Sequence, residues 1–106
     1  NDAKQSILGV TEQTLKEYGA VSKQTVKEMA EGVRRNSGAQ LVVTVSGIAG
    51  PGGGSEEKPV GTVWFGFLCG EHEEQIKQVF SGNRDEVRQH AISFAITQLI
   101  KMLSEN

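Results

Sequence analysis

The chain has 106 residues, 13 of them acidic and 11 basic, for a formal charge of −2. That length suits one domain with a modest core, and the charge offers no Lys/Arg run for nucleic acid or an acidic membrane surface, leaving a small anionic ligand open. A single cysteine, Cys69, excludes an internal disulfide, and no signal-like or membrane-length apolar run is present, which predicts a reduced, cytoplasmic setting.

The opening Asn1-Asp-Ala-Lys-Gln-Ser-Ile-Leu8 starts without Met and reads as the middle of a helical entry, the expected mark of a domain shortened at its N-terminus. Asp2 to Leu8 can make a short helical turn that stops at Gly9. Thr11 is placed to cap a second short helix carrying Leu15 and Tyr18 before Gly19. Ser22 then caps a longer helix to about Asn36, in which Val26, Met29, Ala30 and Val33 fall on one stripe and the Lys/Glu/Arg residues on the other.

Leu41-Val42-Val43-Thr44-Val45 is a continuous β-branched run, the pattern of a strand covered on both faces. Val60 to Leu68 predicts a second strand, Gly70 to Glu73 a polar turn and Gln75 to Phe80 a third strand, so that 60–80 forms a hairpin. Asn83-x-x-Glu86 is a near capping box that opens a helix from Arg84 to about Leu103. Its apolar residues, Val87, Ala91, Ile92, Phe94, Ala95, Ile96, Leu99, Met102 and Leu103, cover so wide an arc that the helix is expected to be largely buried. These elements predict one domain over 1–106 of the α/β class, with a mixed sheet between helices on both faces.

The first and second strands are joined by Ser46-Gly-Ile-Ala-Gly-Pro-Gly-Gly-Gly-Ser-Glu-Glu-Lys-Pro59. Five glycines in one loop carry an ordering cost that a plain connector would rarely bear, and they let a ligand approach the backbone. A glycine-dense loop after a strand suits backbone N–H groups cradling an anion such as a nucleotide phosphate. It is neither a Walker loop, since no Gly-Lys-Ser/Thr closes it, nor a GxGxxG turn opening a helix. Ser46, Gly47, Ile48, Ala49, Gly50 and Gly53 are the candidate ligand residues, and Ser55 to Lys58 reads as a rim. Arg84, at the start of the last helix, could hold a phosphate bidentately, against the plainer reading of a solvated arginine.

Ser46-Gly-Ile-Ala-Gly-Pro-x-Gly-Gly54 and Lys58-Pro-Val-Gly-Thr-Val63 resemble the CinA C-terminal domain family, the nicotinamide mononucleotide deamidases also called PncC. Asn1-x-Ala3-Lys4, Tyr18-Gly-Ala-Val-Ser22 and Phe80-Ser-Gly-Asn-Arg84-x-x-Val87-Arg88 extend the likeness over nearly the whole chain. The resemblance implies a three-layer α/β/α fold with a mixed, mainly parallel sheet, here without its N-terminal part. It also implies hydrolysis of nicotinamide mononucleotide to nicotinate mononucleotide and ammonia, in pyridine nucleotide salvage, with no cofactor.

The family uses a serine, a lysine and a tyrosine, and its Tyr-Ser-Asn-x-Ala-Lys stretch carries onto Asn1, Ala3 and Lys4. Lys4 would be the catalytic base, its amine neutral through burial, whereas without the resemblance it reads as a solvated lysine. The family's tyrosine would fall just before Asn1 and its serine further upstream, so the expectation is an active parent protein and an inactive 106-residue piece. Asn83 stands where the family has aspartate, which keeps the cap but loosens the transfer of roles.

The remaining candidates carry less. Ser46 is better suited to a ligand contact than to nucleophilic attack, and Cys69 to a small core hydrophobe. His72 among Glu71, Glu73 and Glu74 reads as a solvated tip, His90 as an ion-pair partner of Glu86, and no metal site is predicted. Trp64, Phe65 and Phe67 are expected to divide between the core and a covered or subunit-facing side. The competing readings are a non-catalytic nucleotide-binding or competence/damage-inducible CinA-type domain, and an oligomerising scaffold. A homo-oligomer, dimer or higher, is expected, with a small mononucleotide as partner and neither nucleic acid nor membrane.

Overall fold

The computed structural model describes residues 10–47 and 60–105. Helix α1 spans Glu12–Tyr18, α2 Lys23–Ser37 and α3 Arg84–Glu105; strand β1 spans Leu41–Gly47, β2 Thr62–Cys69 and β3 His72–Val79. The N-cap signals act as read: Thr11 accepts a hydrogen bond from Thr14 N–H and Ser22 accepts one from Thr25 N–H. Gly38, which sequence reasoning did not name, ends α2 in the left-handed region at φ +72°.

The sheet runs β1-β2-β3 with both pairings antiparallel, Leu41 opposite Cys69 and Cys69 opposite His72. Helix α2 covers one face and α3 the other, so the α/β class and its three layers hold. The mainly parallel sheet does not appear among the described residues. A parallel neighbour requires a crossover of about a dozen residues or more, whereas β2 and β3 are joined by Gly70 and Glu71 alone. Pairing of Gly47 with Val63 likewise fixes the two ends of the glycine loop side by side on antiparallel strands.

Period-two alternation sorts the core. Val63, Phe65, Phe67 and Cys69 point toward α3, where Val87, Ala91, Ala95 and Met102 complete a buried cluster. Phe65 and Phe67 stack at 6.0 Å, and Phe94 lies 4.8 Å from Phe65. On the opposite face Val42 and Leu68 pack with Ala30. There the α2 backbone approaches the sheet closely, and Thr44 Oγ1 donates to the Val26 carbonyl at 2.8 Å.

Two expectations fail for a shared reason. Strand β1 is covered on one face only: Val42 and Thr44 are buried, while Leu41, Val43 and Val45 are exposed. Helix α3 buries Val87, Ala91, Ala95 and Met102 but leaves Ile92, Ile96, Ile100 and Leu103 more than half exposed. The helix sits over β2, and its apolar arc is wider than that strand can cover, so the excess faces the same open side as β1.

Arg34 ties the far end of the domain together. Its guanidinium donates to the carbonyls of Ala39 (3.1 Å), Gln40 (2.7 Å) and Gly70 (2.7 Å), joining α2, the entry to β1 and the β2–β3 turn. A Cβ on Gly66 would lie 2.5 Å from the Val26 carbonyl oxygen and 2.7 Å from Thr44 Oγ1. Gly66→Ala must therefore push α2 off the sheet. A loss of about 2 kcal/mol in unfolding free energy is expected, measured as a lower urea midpoint at unchanged m-value.

Candidate functional site

The site grows from the point where β1 and β2 meet α3. Gly47 ends β1, and a Cβ there would crowd Val63 Cγ2 at 3.0 Å and the Thr62 carbonyl at 3.3 Å. Gly61, at φ +94°, lies against Phe80, whose N–H donates to the Gly61 carbonyl at 2.9 Å; a Cβ on Gly61 would fall 2.0 Å from the Phe80 carbonyl oxygen. The far flank at Gly61 is thus held where only a glycine fits, and the near flank at Gly47 where a Cβ would be crowded.

Four residues after Phe80 the last helix begins, and its start is fixed by a reciprocal cap at Asn83. Asn83 Oδ1 accepts from Glu86 N–H at 2.9 Å, and Glu86 Oε1 accepts from Asn83 N–H at 2.8 Å. Glu86 therefore serves the cap, and His90 lies against the Phe80 ring at 5.9 Å, in place of the expected Glu86–His90 pair.

Between β1 and α3 lies a groove of about 680 Å³. Val43, Val45 and Gly47 form one wall, and Ala91, Ile92 and Ile96 part of the other. Arg84 and Arg88 line it at the end nearest the loop. They are one turn apart on α3 and permanently charged, and their guanidinium forks match a phosphate or carboxylate. The remainder of the groove is predominantly apolar and suits a flat ring. Among the described lining residues no nucleophile is paired with a base, so this part of the groove can bind and orient but not hydrolyse.

The predicted site residues are placed unequally. Gly47 and Arg84 are brought together in the groove. Ser46 points to the opposite side of the sheet, where its hydroxyl donates to the Ala20 carbonyl at 2.7 Å. Lys4, Ile48, Ala49, Gly50 and Gly53 lie outside the described residues. Cys69 is buried in the α3-side core. Sequence reasoning did not single out Arg88, although the i, i+4 spacing from Arg84 marks a shared helix face. It also passed over Gly61, which local pattern alone does not distinguish from a turn glycine. No helix among the described residues is long and apolar enough to cross a membrane.

Fold and groove together define a three-layer α/β/α domain whose ligand-sized groove opens beside a glycine-rich loop. Residues 1–103 match the family model described as the CinA C-terminal domain, and the chain belongs to that family. It is 53% identical over 108 residues to the nicotinamide-nucleotide amidohydrolase PncC of Enterobacter agglomerans, covering 100% of this chain and 65% of that protein. A CinA-like protein of Petrotoga mobilis is 48% identical over 103 residues, covering 97% of this chain and 26% of that one. The crystal structure of a competence-damaged protein (CinA) superfamily member from Klebsiella pneumoniae 700603 superposes with a TM-score of 0.91 at 35% identity, covering 100% of this chain and 66% of that chain. The chain thus spans about two thirds of the shorter relatives and a quarter of the longer one.

The cap that orients Arg84 gives a direct test. Asn83→Ala should cost about 1 kcal/mol, seen as a lower Tm, whereas Asn83→Asp should retain both cap hydrogen bonds and the wild-type Tm.

Proposed function

We propose that these residues form the nucleotide-binding part of an amidohydrolase that converts nicotinamide mononucleotide to nicotinate mononucleotide and ammonia. The observation that carries this reading is the convergence of Arg84, Arg88 and the loop's Gly47 at one end of an otherwise apolar groove. A mononucleotide has the matching polarity, with a dianionic phosphate at one end and a flat aromatic amide at the other. The reaction comes from the PncC relative, whose name states amide hydrolysis on a nicotinamide nucleotide.

Amide hydrolysis requires a nucleophile, a proton carrier and stabilisation of the tetrahedral oxyanion. In this reading the arginines hold the phosphate, the loop N–H groups contribute to anion binding, and Lys4 is the base. The serine and tyrosine that the family resemblance locates ahead of Asn1 supply the nucleophile and its partner. Ser46, already donating to Ala20, serves structure and loop geometry rather than attack. The 106 residues are then a binder that does not turn the nucleotide over.

Thermal unfolding with and without nicotinamide mononucleotide tests the binding claim. A rise in Tm is expected, with a weaker effect from the riboside, which lacks the phosphate. Arg84→Gln should raise the Kd roughly 10- to 100-fold, the worth of one charge-assisted hydrogen-bond pair. Equal stabilisation by nucleotide and riboside, or no shift with either, would return the groove to a purely structural role. Ammonia release by the 106-residue chain would overturn the assignment of the nucleophile to an upstream segment.

A further inference from the structure

The pole of the domain opposite Arg84 holds a second group of convergent side chains, unrelated to the groove. His72 and Glu74 stand two residues apart on β3, and therefore on one face of the sheet, the face toward α3. The last turn of α3 brings Glu105 to the same place. One donor atom from each, an imidazole nitrogen and two carboxylate oxygens, lie within 4.8 Å of one another. His72 and Glu74 are partly buried and Glu105 is exposed.

We propose that His72, Glu74 and Glu105 form a binding site for a divalent first-row cation of the zinc or cobalt type, which clamps the β2–β3 hairpin to the C-terminal end of α3. Metal–ligand bonds of about 2.1 Å set adjacent donors in a coordination polyhedron about 3 Å apart. His72 Nε2 and Glu74 Oε2 stand 2.9 Å apart, already at that spacing. The other oxygen of Glu74 accepts from Gln98 Nε2 at 3.0 Å, an outer contact that fixes the carboxylate's direction as such partners do at metal centres. On binding, the Nε2–Oε2 hydrogen bond gives way to two bonds to the ion, and the Nε2 proton moves to Nδ1 or to solvent.

Charge favours a cation here rather than a simple His–Glu pair. Glu105 sits at the C-terminal end of a 22-residue helix, where the helix dipole is negative, and no basic residue lies in that last turn. Glu71 and Glu73 flank the site in the hairpin and add to the negative potential. The imidazole sets the ion class: a site of oxygens alone would suit magnesium or calcium, whereas a nitrogen donor shifts preference to zinc, cobalt or nickel. Three protein ligands leave a coordination position for water, so binding is expected to be reversible.

The test is thermal unfolding of the purified chain with Zn²⁺, Co²⁺ or Mg²⁺. Saturating Zn²⁺ or Co²⁺ should raise Tm by about 5 °C or more, with Mg²⁺ well below that. His72→Gln and Glu105→Gln, both at accessible positions, should each abolish the rise, and His90→Gln should leave it intact. The absence of any rise with Zn²⁺ and Co²⁺, or a rise that survives His72→Gln, would overturn the proposal. Co²⁺ spectra add an independent readout. Visible d–d bands without a thiolate charge-transfer band support the site, and a thiolate band would assign the ion to Cys69 instead.

Discussion

The domain depends on how closely α2 can lie on the sheet. At Gly66 the strand presents no side chain, and the Val26 carbonyl of the helix occupies the space where a Cβ would stand. Thr44, on the neighbouring strand, meets the same carbonyl with its hydroxyl, so the tight approach is both sterically permitted and chemically satisfied. Everything at the start of α2 follows from that seating. Ser22 and Thr25 both donate to the Gly19 carbonyl, which fixes the turn between α1 and α2. Glu28 then accepts from Thr11 N–H and from the Thr14 hydroxyl, holding α1 against α2. One missing side chain on β2 thereby sets the position of two helices.

The other face is built on a different principle. Helix α3 packs by bulk, through Phe65, Phe67, Phe94 and Met102. Its direction is instead set at its start by the Asn83–Glu86 cap and by Phe80, which is hydrogen-bonded to Gly61. That arrangement matters for the groove. The residues that carry positive charge into it, Arg84 and Arg88, lie within the first two turns beyond that cap.

Much of this was legible in the sequence, because the informative features were local. Caps at Thr11, Ser22 and Asn83, the glycine stop at Gly19, and the hairpin at Gly70 each depend on residues within one turn of each other, and each forms where the pattern places it. Coverage was not legible. The unbroken apolar run at 41–45 and the wide apolar arc of α3 both predict burial, yet Val43, Val45, Ile92 and Ile96 face an open groove. Hydrophobicity states that a surface prefers to be covered and does not state whether this stretch of chain covers it. Strand direction was similarly hidden, since a buried β-branched run suits parallel and antiparallel neighbours alike, and register alone separates them. The cluster at His72 was missed for a related reason: sequence placed its carboxylates in one turn, while the third donor, Glu105, comes from the far end of a helix.

The described flanks of the glycine loop and the start of the last helix are linked beside the groove. Gly47 and Val63 are paired across β1 and β2, Gly61 is bonded to Phe80, and Phe80 is three residues from the cap that starts α3. An anion held between loop N–H groups and the two arginines would therefore draw on elements whose mutual positions are set before it arrives. Binding there would then cost little rearrangement of the groove's flanks, the condition under which contacts convert most fully into affinity. The glycines at 47 and 61 serve that arrangement. They let the flanks lie close, Gly47 against Val63 and Thr62 of β2 and Gly61 against the Phe80 backbone, where a Cβ would crowd or clash.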